Sequence, residues 1–184
     1  MQLRPATRHD VPRLNALIER SARALSPGYY APDELEAAVQ HVFGVDTALV
    51  DDGTYFVVEG DGALLGCGGW SRRRTLYGGD QRPVGAVDQL LDPAHDAARI
   101  RAFFVAPEAA RRGVGRFLLA GCTAAAAAAG FRRLELMATL PGVPFYEAMG
   151  FAALEPVTDR MPDGTGVRFV RMARPIAPST PDAP

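Results

Sequence analysis

The sequence predicts an α/β protein: one mixed β-sheet with helices on both of its faces. Three observations support this fold class. Apolar residues recur at helical spacing near the N-terminus, a Gly60-Asp61-Gly62 turn separates two strand-like runs, and a long helical segment lies between two later strands. A chain of 184 residues suits one domain with a sizeable core, which we place at residues 1–174.

The first part of the chain predicts a strand and two helices. Residues 1–6 form the strand, and Thr7 with Asp10 has the spacing of a capping box in its acidic variant. The first helix is indicated by four apolar residues at helical spacing: Val11, Leu14, Leu17 and Ile18. The second helix covers about 32–43, because Pro32 is followed by two acids that suit the helix dipole.

A hairpin, a long connection and a strand come next. Thr54–Glu59 and Ala63–Trp70 are strand-like runs on either side of the Gly60-Asp61-Gly62 turn. Residues 72–95 are rich in Arg, Gly, Pro and Asp, which predicts a connection without regular structure. Arg99–Val105 is the next strand, and Pro107 stops it.

The C-terminal part alternates helices and strands. A helix is predicted from Gly113 to Ala129, and Gly130 ends it. The remaining segments are a strand, a short helix and a closing hairpin: Phe131–Thr139, Pro144–Met149, Phe151–Leu154 and Gly166–Met172. The predicted order is therefore β-α-α-β-β-β-α-β-α-β-β. Residues 175–184 hold four prolines and are predicted to be a disordered tail.

Composition excludes several kinds of chemistry. All 20 basic residues are arginine, so lysine Schiff bases, pyridoxal-phosphate enzymes and the lysine of a Walker A loop are excluded. His9, His41 and His95 are scattered, which speaks against a zinc site, and no GxSxG elbow offers a nucleophile for a hydrolase triad. We therefore expect no metal.

The chain also shows little attraction to large charged partners. Its net charge of −1 gives no global pull toward nucleic acid or an anionic membrane. No apolar stretch approaches the ~20 residues that span a bilayer, and residues 1–8 lack the layout of a secretory signal. Cys67 and Cys122 lie among apolar or small residues, which predicts buried free thiols. We expect a cytoplasmic protein.

Residues 105–119 carry the strongest functional signal. A strand ends, the chain turns, and Gly113 and Gly115 open a long helix. Backbone N–H groups at a helix start have no internal partner, and glycines let a pyrophosphate approach them closely. Positive charge is added by three arginines: Arg111, Arg112 and Arg116. The turn predicts an anion site, although a plain helix start with solvated arginines would show the same pattern.

This turn resembles the motif of the GCN5-related N-acetyltransferase (GNAT) superfamily, Gln/Arg-x-x-Gly-x-Gly/Ala. Gly113 and Gly115 match its last two fixed positions, while Ala110 departs from the first. A second stretch, 140–151, is similar to the later motif of the family, in which an aromatic pair on a short helix precedes Gly-Phe. The spacing of the motifs and the element order also match, over residues 1 to about 173.

The resemblance implies an acyl-CoA-dependent N-acyltransferase. Acetyl-CoA would be the cosubstrate, and the primary amine of a small molecule or peptide would attack its thioester directly. A backbone N–H near Val105 would stabilise the oxyanion. Tyr146, with a phenol pKa of about 10, would protonate the CoA thiolate, unless it is a core aromatic. The implied CoA site comprises ten residues: Phe104, Val105, Arg111, Arg112, Gly113, Val114, Gly115, Arg116, Thr139 and Tyr146.

The acceptor side is less defined. Four residues fall where the family builds its acceptor site, though packing would explain them equally: Tyr29, Tyr30, Trp70 and Arg72. Four others are candidates for the general base by residue type, and each also reads as a structural or surface residue: Asp88, His95, Asp96 and Glu135. An ordered water could replace them. Dimers are common among such proteins, and nothing in this sequence specifies one.

Two other functions fit parts of the sequence. Gly113-x-Gly115 after a strand is similar to the fingerprint of a nucleotide-binding dehydrogenase. Leu118 stands where its third glycine belongs, however, and too little chain follows for the rest of that fold. A non-catalytic acyl-CoA sensor on the same scaffold would also carry the turn. The presence of Tyr146 favours catalysis over that alternative.

Overall fold

The computed structural model describes residues 1–81 and 89–177, and these confirm the predicted α/β class. The strands are β1 (Gln2–Pro5), β2 (Tyr55–Gly60), β3 (Ala63–Ser71), β4 (Ala98–Val105), β5 (Arg133–Thr139), β6 (Ala152–Arg160) and β7 (Gly166–Pro175). The helices are α1 (Val11–Leu25), α2 (Pro32–His41), α3 (Thr47–Asp51), α4 (Val114–Ala128) and α5 (Val143–Ala148). No helix in these residues has the length and apolar character needed to cross a bilayer.

The strands form one mixed sheet in the order β1-β2-β3-β4-β5-β7-β6. All neighbours are antiparallel except β4 and β5, which are parallel and are joined through α4. Val57 and Val58 in β2 are both fully buried. Successive side chains of a strand point to opposite faces, so both faces of the sheet are covered here. One cover is α4, which packs on β2–β4, and α1 packs on β3 and β4.

The predicted capping box is present at the start of the first helical segment. The Thr7 N–H donates a hydrogen bond to Asp10 Oδ2 at 2.8 Å. The Arg4 guanidinium on β1 donates to the same carboxylate and to Glu59 on β2. It holds the pKa of the Asp10 carboxyl well below its usual range. This network anchors the start of α1 to the edge of the sheet.

The structure departs from the expected elements in three places. Helix α3 was not predicted, and Asp46 caps it by accepting the Ala48 N–H at 3.0 Å. Strand β6 runs to Arg160, well past the predicted Leu154. Strand β7 reaches Pro175 and the Ile176 N–H donates to a backbone carbonyl, so the start of the expected tail is ordered. Residues 178–184 lie outside the described residues, and the domain bounds stay a prediction.

Both thiols are buried and free, as predicted. Burial raises the pKa of the Cys67 thiol to about 12 and raises that of Cys122 as well. Within the described ranges, no three His, Cys, Asp or Glu side chains are grouped as ligands for a metal ion.

Because both thiols have raised pKa values, we expect the free energy of unfolding to decrease as the pH rises above neutral. A thiol with a raised folded pKa stabilises the fold fully below its unfolded value of about 8.5. That contribution is lost as the pH rises toward the folded pKa. Urea unfolding between pH 7 and 10 should show the decline, and a Cys67→Ala/Cys122→Ala double variant should delay it until the tyrosines titrate. Equal pH slopes in both proteins would contradict this assignment.

Candidate active site

The two parallel strands separate after three residue pairs. Strands β4 and β5 pair from Ala98–Leu134 to Ile100–Leu136, although both strands continue beyond. Strand β5 pairs with β7 along its whole length, so from Met137 to Thr139 only its β4 edge is left without a paired strand. A V-shaped split therefore opens in the middle of the sheet, between the second halves of β4 and β5.

A β-bulge in β4 accompanies the split. Cys67 pairs with Phe104 and Gly69 with Arg101, so β4 carries one extra residue against β3. Ala102 lies in this bulge with a φ of 51°, a left-handed value for a residue other than glycine. The Tyr55 hydroxyl donates to the Ala102 carbonyl at 3.0 Å. A bulge bends its strand and raises the local twist, and residues 103–105, which follow it, are not paired with β5.

A cavity of about 750 Å³ occupies the split and extends from the start of α4 to the segment after α1. Its size suits a small-molecule site. Ten of the residues predicted for the site line it: Tyr29, Phe104, Val105, Arg111, Gly113, Val114, Gly115, Arg116, Thr139 and Tyr146. The structure thus brings most of the predicted cosubstrate residues together.

The turn at residues 111–115, which we call the glycine turn, forms one end of the cavity. Arg111 and Gly113 both have positive φ, of 60° and 84°, and Gly113 supplies the left-handed N-cap of α4 at low cost. The Phe117 N–H donates to the Gly113 carbonyl at 3.0 Å. The N–H groups of residues 114–116 therefore precede the first helical hydrogen bond and can bind an anion. Arg111 and Arg116 are exposed beside them.

The backbone at the end of β4 offers a donor to the split. The Ala106 N–H donates to the Leu65 carbonyl at 2.9 Å, on the β3 side. Because successive N–H groups of a strand point to opposite edges, the Val105 N–H is directed toward the split. This orientation suits the oxyanion role that the resemblance implies for a group near Val105.

Tyr146 lies in the cavity wall on α5. Its side chain is only 8% exposed, and its ring contacts Phe145 and Phe151 edge-on at centroid distances of 5.1 and 5.5 Å. Burial raises the pKa of the Tyr146 phenol well above its ordinary value. The hydroxyl therefore stays protonated at neutral pH, and it is a weaker acid than the ordinary phenol on which the sequence-based assignment rests. Phe145, its neighbour on the same helix, also lines the cavity.

Four predicted residues lie away from this cavity. Trp70 is 6% exposed and packs edge-on against Phe131 at 6.0 Å, inside the core. The Tyr30 hydroxyl is held by two backbone groups: it donates to the Arg168 carbonyl and accepts the Leu140 N–H, each at 2.9 Å. Arg72 and Arg112 are exposed and absent from the lining.

The three candidate general bases that the structure describes are also outside the lining. His95 accompanies Asp92 in an exposed turn, with 2.8 Å between Nδ1 and Oδ2, and Asp96 lies in the same turn. Glu135 is buried between Arg99 and Arg171, where ion pairs hold its pKa below the usual range despite desolvation. Asp88 lies outside the described residues.

Sequence reasoning missed most of the cavity opposite the glycine turn. Its walls there are aromatic or cationic and come from four separate parts of the chain: Phe43, Tyr77, Arg101, Phe103 and Phe169. No motif links these residues, because only the tertiary fold brings them together.

Comparison with known proteins agrees with this geometry. A sequence model described as the acetyltransferase (GNAT) family matches residues 16–151, which include the glycine turn and the Tyr146 motif. The chain belongs to the GNAT acetyltransferase family. A search of curated proteins found no sequence match.

Solved GNAT structures share the fold at low sequence identity. A GCN5-related N-acetyltransferase from Rhodopseudomonas palustris is 20% identical with a TM-score of 0.69, covering 95% of this chain and 94% of that one. A PaiA N-acetyltransferase from Thermoplasma acidophilum, in complex with coenzyme A, is 12% identical with a TM-score of 0.62, covering 95% and 98%. A ribosomal-protein-alanine N-acetyltransferase from Brucella melitensis is 18% identical with a TM-score of 0.60, covering 95% and 99%.

Proposed function

We propose that this GNAT protein transfers the acetyl group of acetyl-CoA to a primary amine, with Tyr146 as the general acid. One observation carries the proposal. A single continuous cavity joins the glycine turn, the split between β4 and β5, and the Tyr146 ring. These are the parts that an acyl-CoA-dependent transfer needs: an anion site, a channel for the thioester arm and a proton donor.

The residues of this chain fit coenzyme A. The N–H groups of residues 114–116 and the exposed Arg111 and Arg116 would hold the pyrophosphate. The split would hold the thioester arm, and acetyl-CoA supplies the activated acetyl group. The coenzyme A in the Thermoplasma acidophilum structure supports this choice, because that protein shares the fold.

Every proton in the transfer is accounted for with Tyr146 as the only proton donor that the protein needs to supply. The neutral amine forms a bond to the thioester carbonyl carbon, and the Val105 N–H stabilises the oxyanion. As the carbon–sulfur bond breaks, the Tyr146 hydroxyl gives its proton to the thiolate. The phenolate then regains a proton from the ammonium nitrogen, directly or through water. The amine must lose a proton before it attacks. No carboxylate or imidazole among the described residues lines the cavity, so we propose that water accepts this proton.

Thermal unfolding with CoA, acetyl-CoA and NAD at equal excess tests the cosubstrate. A ligand at ~100 times its dissociation constant stabilises by ~2.7 kcal/mol, which for a chain of this size is roughly 5–10 °C in Tm. We expect this rise with both CoA species and not with NAD. A rise with NAD alone would favour a nucleotide-binding oxidoreductase, and no rise with CoA would overturn the proposal.

A non-catalytic acyl-CoA sensor is the second candidate. The sensor would show the same stabilisation by CoA. Release of free thiol from acetyl-CoA in the presence of amines separates the two functions, because only the enzyme turns over.

A further inference from the structure

We infer that the acceptor is a small arylalkylamine, a molecule with one primary amine on an aromatic body and no second positive charge. The inference rests on the proposed function and concerns the part of the cavity opposite the glycine turn. We call this part the acceptor arm. Its apolar and aromatic lining consists of Leu25, Tyr29, Phe43, Tyr77, Phe103 and Phe169, and Arg101 is the cation in its wall.

The acceptor arm is lined mainly by aromatic rings. Tyr77 and Phe169 contact each other with centroids 5.3 Å apart. Phe43 meets Phe104 edge-on at 5.5 Å, where the arm reaches the split. Aromatic rings prefer edge-on or offset contacts with other rings, and burial of one adds a large apolar area. The walls therefore favour an aromatic acceptor.

The charge of the arm disfavours polyamines. No carboxylate among the described residues lines the cavity. Asp46, beside the lining, is paired with Arg101 at 2.7 Å, and both side chains are buried. A second ammonium group would lose its hydration here without gaining an anionic partner, which is costly. A body with a single amine avoids this penalty.

The arm is closed along one side. The Tyr77 hydroxyl donates to Asp159 on β6 at 2.7 Å, and Arg101 donates to the Gly78 carbonyl at 2.7 Å. These bonds hold the segment after β3 against the cavity. Leu25 and Tyr29, 38% and 46% exposed, give the mouth an apolar rim. This shape suits a small molecule better than an extended peptide.

An acceptor panel tests the inference. Phenethylamine and tryptamine are compared with spermidine, kanamycin, glutamate and an alanine-starting peptide, with thiol release as the readout. Burial of the ring should give the aryl amines a kcat/KM about 10- to 100-fold above the others. Phenethylamine should also raise Tm in the presence of CoA. If another acceptor is best, or if none is used while CoA still stabilises the protein, the inference fails and cosubstrate binding stands. Absence of CoA stabilisation overturns the proposed function as well.

Two variants at the rim sharpen this test. Tyr29→Ala should raise KM for phenethylamine about 5- to 10-fold with kcat unchanged, because the substrate loses its contact with a ring that is itself only half-buried. Leu25→Glu should raise kcat/KM for spermidine by up to about fivefold, by supplying the missing carboxylate. Leu154→Ala and Leu154→Glu are the matched controls, since Leu154 is 54% exposed on β6 and outside the cavity. Equal effects at Leu154, or no change at either rim position, would overturn the inference.

Discussion

Tyr146→Phe should lower kcat by about 100-fold or more while the affinity for CoA stays unchanged. General acid catalysis typically contributes 10²–10⁴-fold in rate, and the variant removes only the proton donor. The ring stays in place between Phe145 and Phe151, so the cavity wall keeps its shape. Steady-state turnover with the best acceptor and the rise in Tm with CoA measure the two effects separately.

Tyr30→Phe is the matched control for this variant. It also removes the hydroxyl of a buried tyrosine, but that hydroxyl bonds the Arg168 carbonyl and the Leu140 N–H outside the cavity. Its main effect should be a loss of stability of about 1–3 kcal/mol, because the Leu140 N–H loses its partner. Wild-type turnover in Tyr146→Phe would show that Tyr146 is a core aromatic and not the acid.

Gly115→Val should weaken CoA binding. A Cβ at Gly115 would lie only 3.2 Å from Phe145 Cζ, so a branched side chain must displace that ring or the start of α4. It would also occupy space next to the N–H groups of residues 114–116. A clash between the valine methyls and the bound pyrophosphate that costs about 1–3 kcal/mol would raise the CoA dissociation constant roughly 5- to 100-fold. Titration calorimetry with CoA measures this constant.

Ala120→Val controls for the cost of a β-branched residue in α4. Ala120 is exposed on the same helix and does not line the cavity. This variant should keep wild-type CoA affinity. Equal CoA binding by Gly115→Val and wild type would remove the glycine turn from the proposed site.

The strongest local patterns were sufficient to predict the seven strands and four of the five helices that the structure describes, and most of the residues predicted for the cosubstrate line one cavity, although their roles stay a prediction. Gly113 and Gly115 are typical of a turn that opens a helix. The alanine-rich segment after them strongly favours a helix over other structures. Helix α3 escaped prediction because it has only five residues and little periodicity. The full length of β6 was not predicted because its side chains are mostly exposed and show little alternation. Pro156 also interrupts the strand pattern, which is tolerated in an edge strand.

The acceptor side could not be predicted from local patterns. Trp70 and Tyr29 are both aromatic, yet one packs inside the core and the other stands at the cavity mouth. Which side of the sheet or loop an aromatic residue occupies depends on partners distant in sequence, such as Phe131. The left-handed backbone of Ala102, which accompanies the split, likewise has no signal in an ordinary alanine.

The short stretch of pairing between β4 and β5 has a consequence for how the chain folds. Strands β1 to β4 pair each with its sequence neighbour, and β5, β6 and β7 form a second group, so most pairing is available early within each half. Only three residue pairs join the two groups within the sheet, and this pairing requires closure of the loop that contains α4. We therefore expect β1–β4 and β5–β7 to form as two groups before they dock, and their docking brings the two walls of the cavity together.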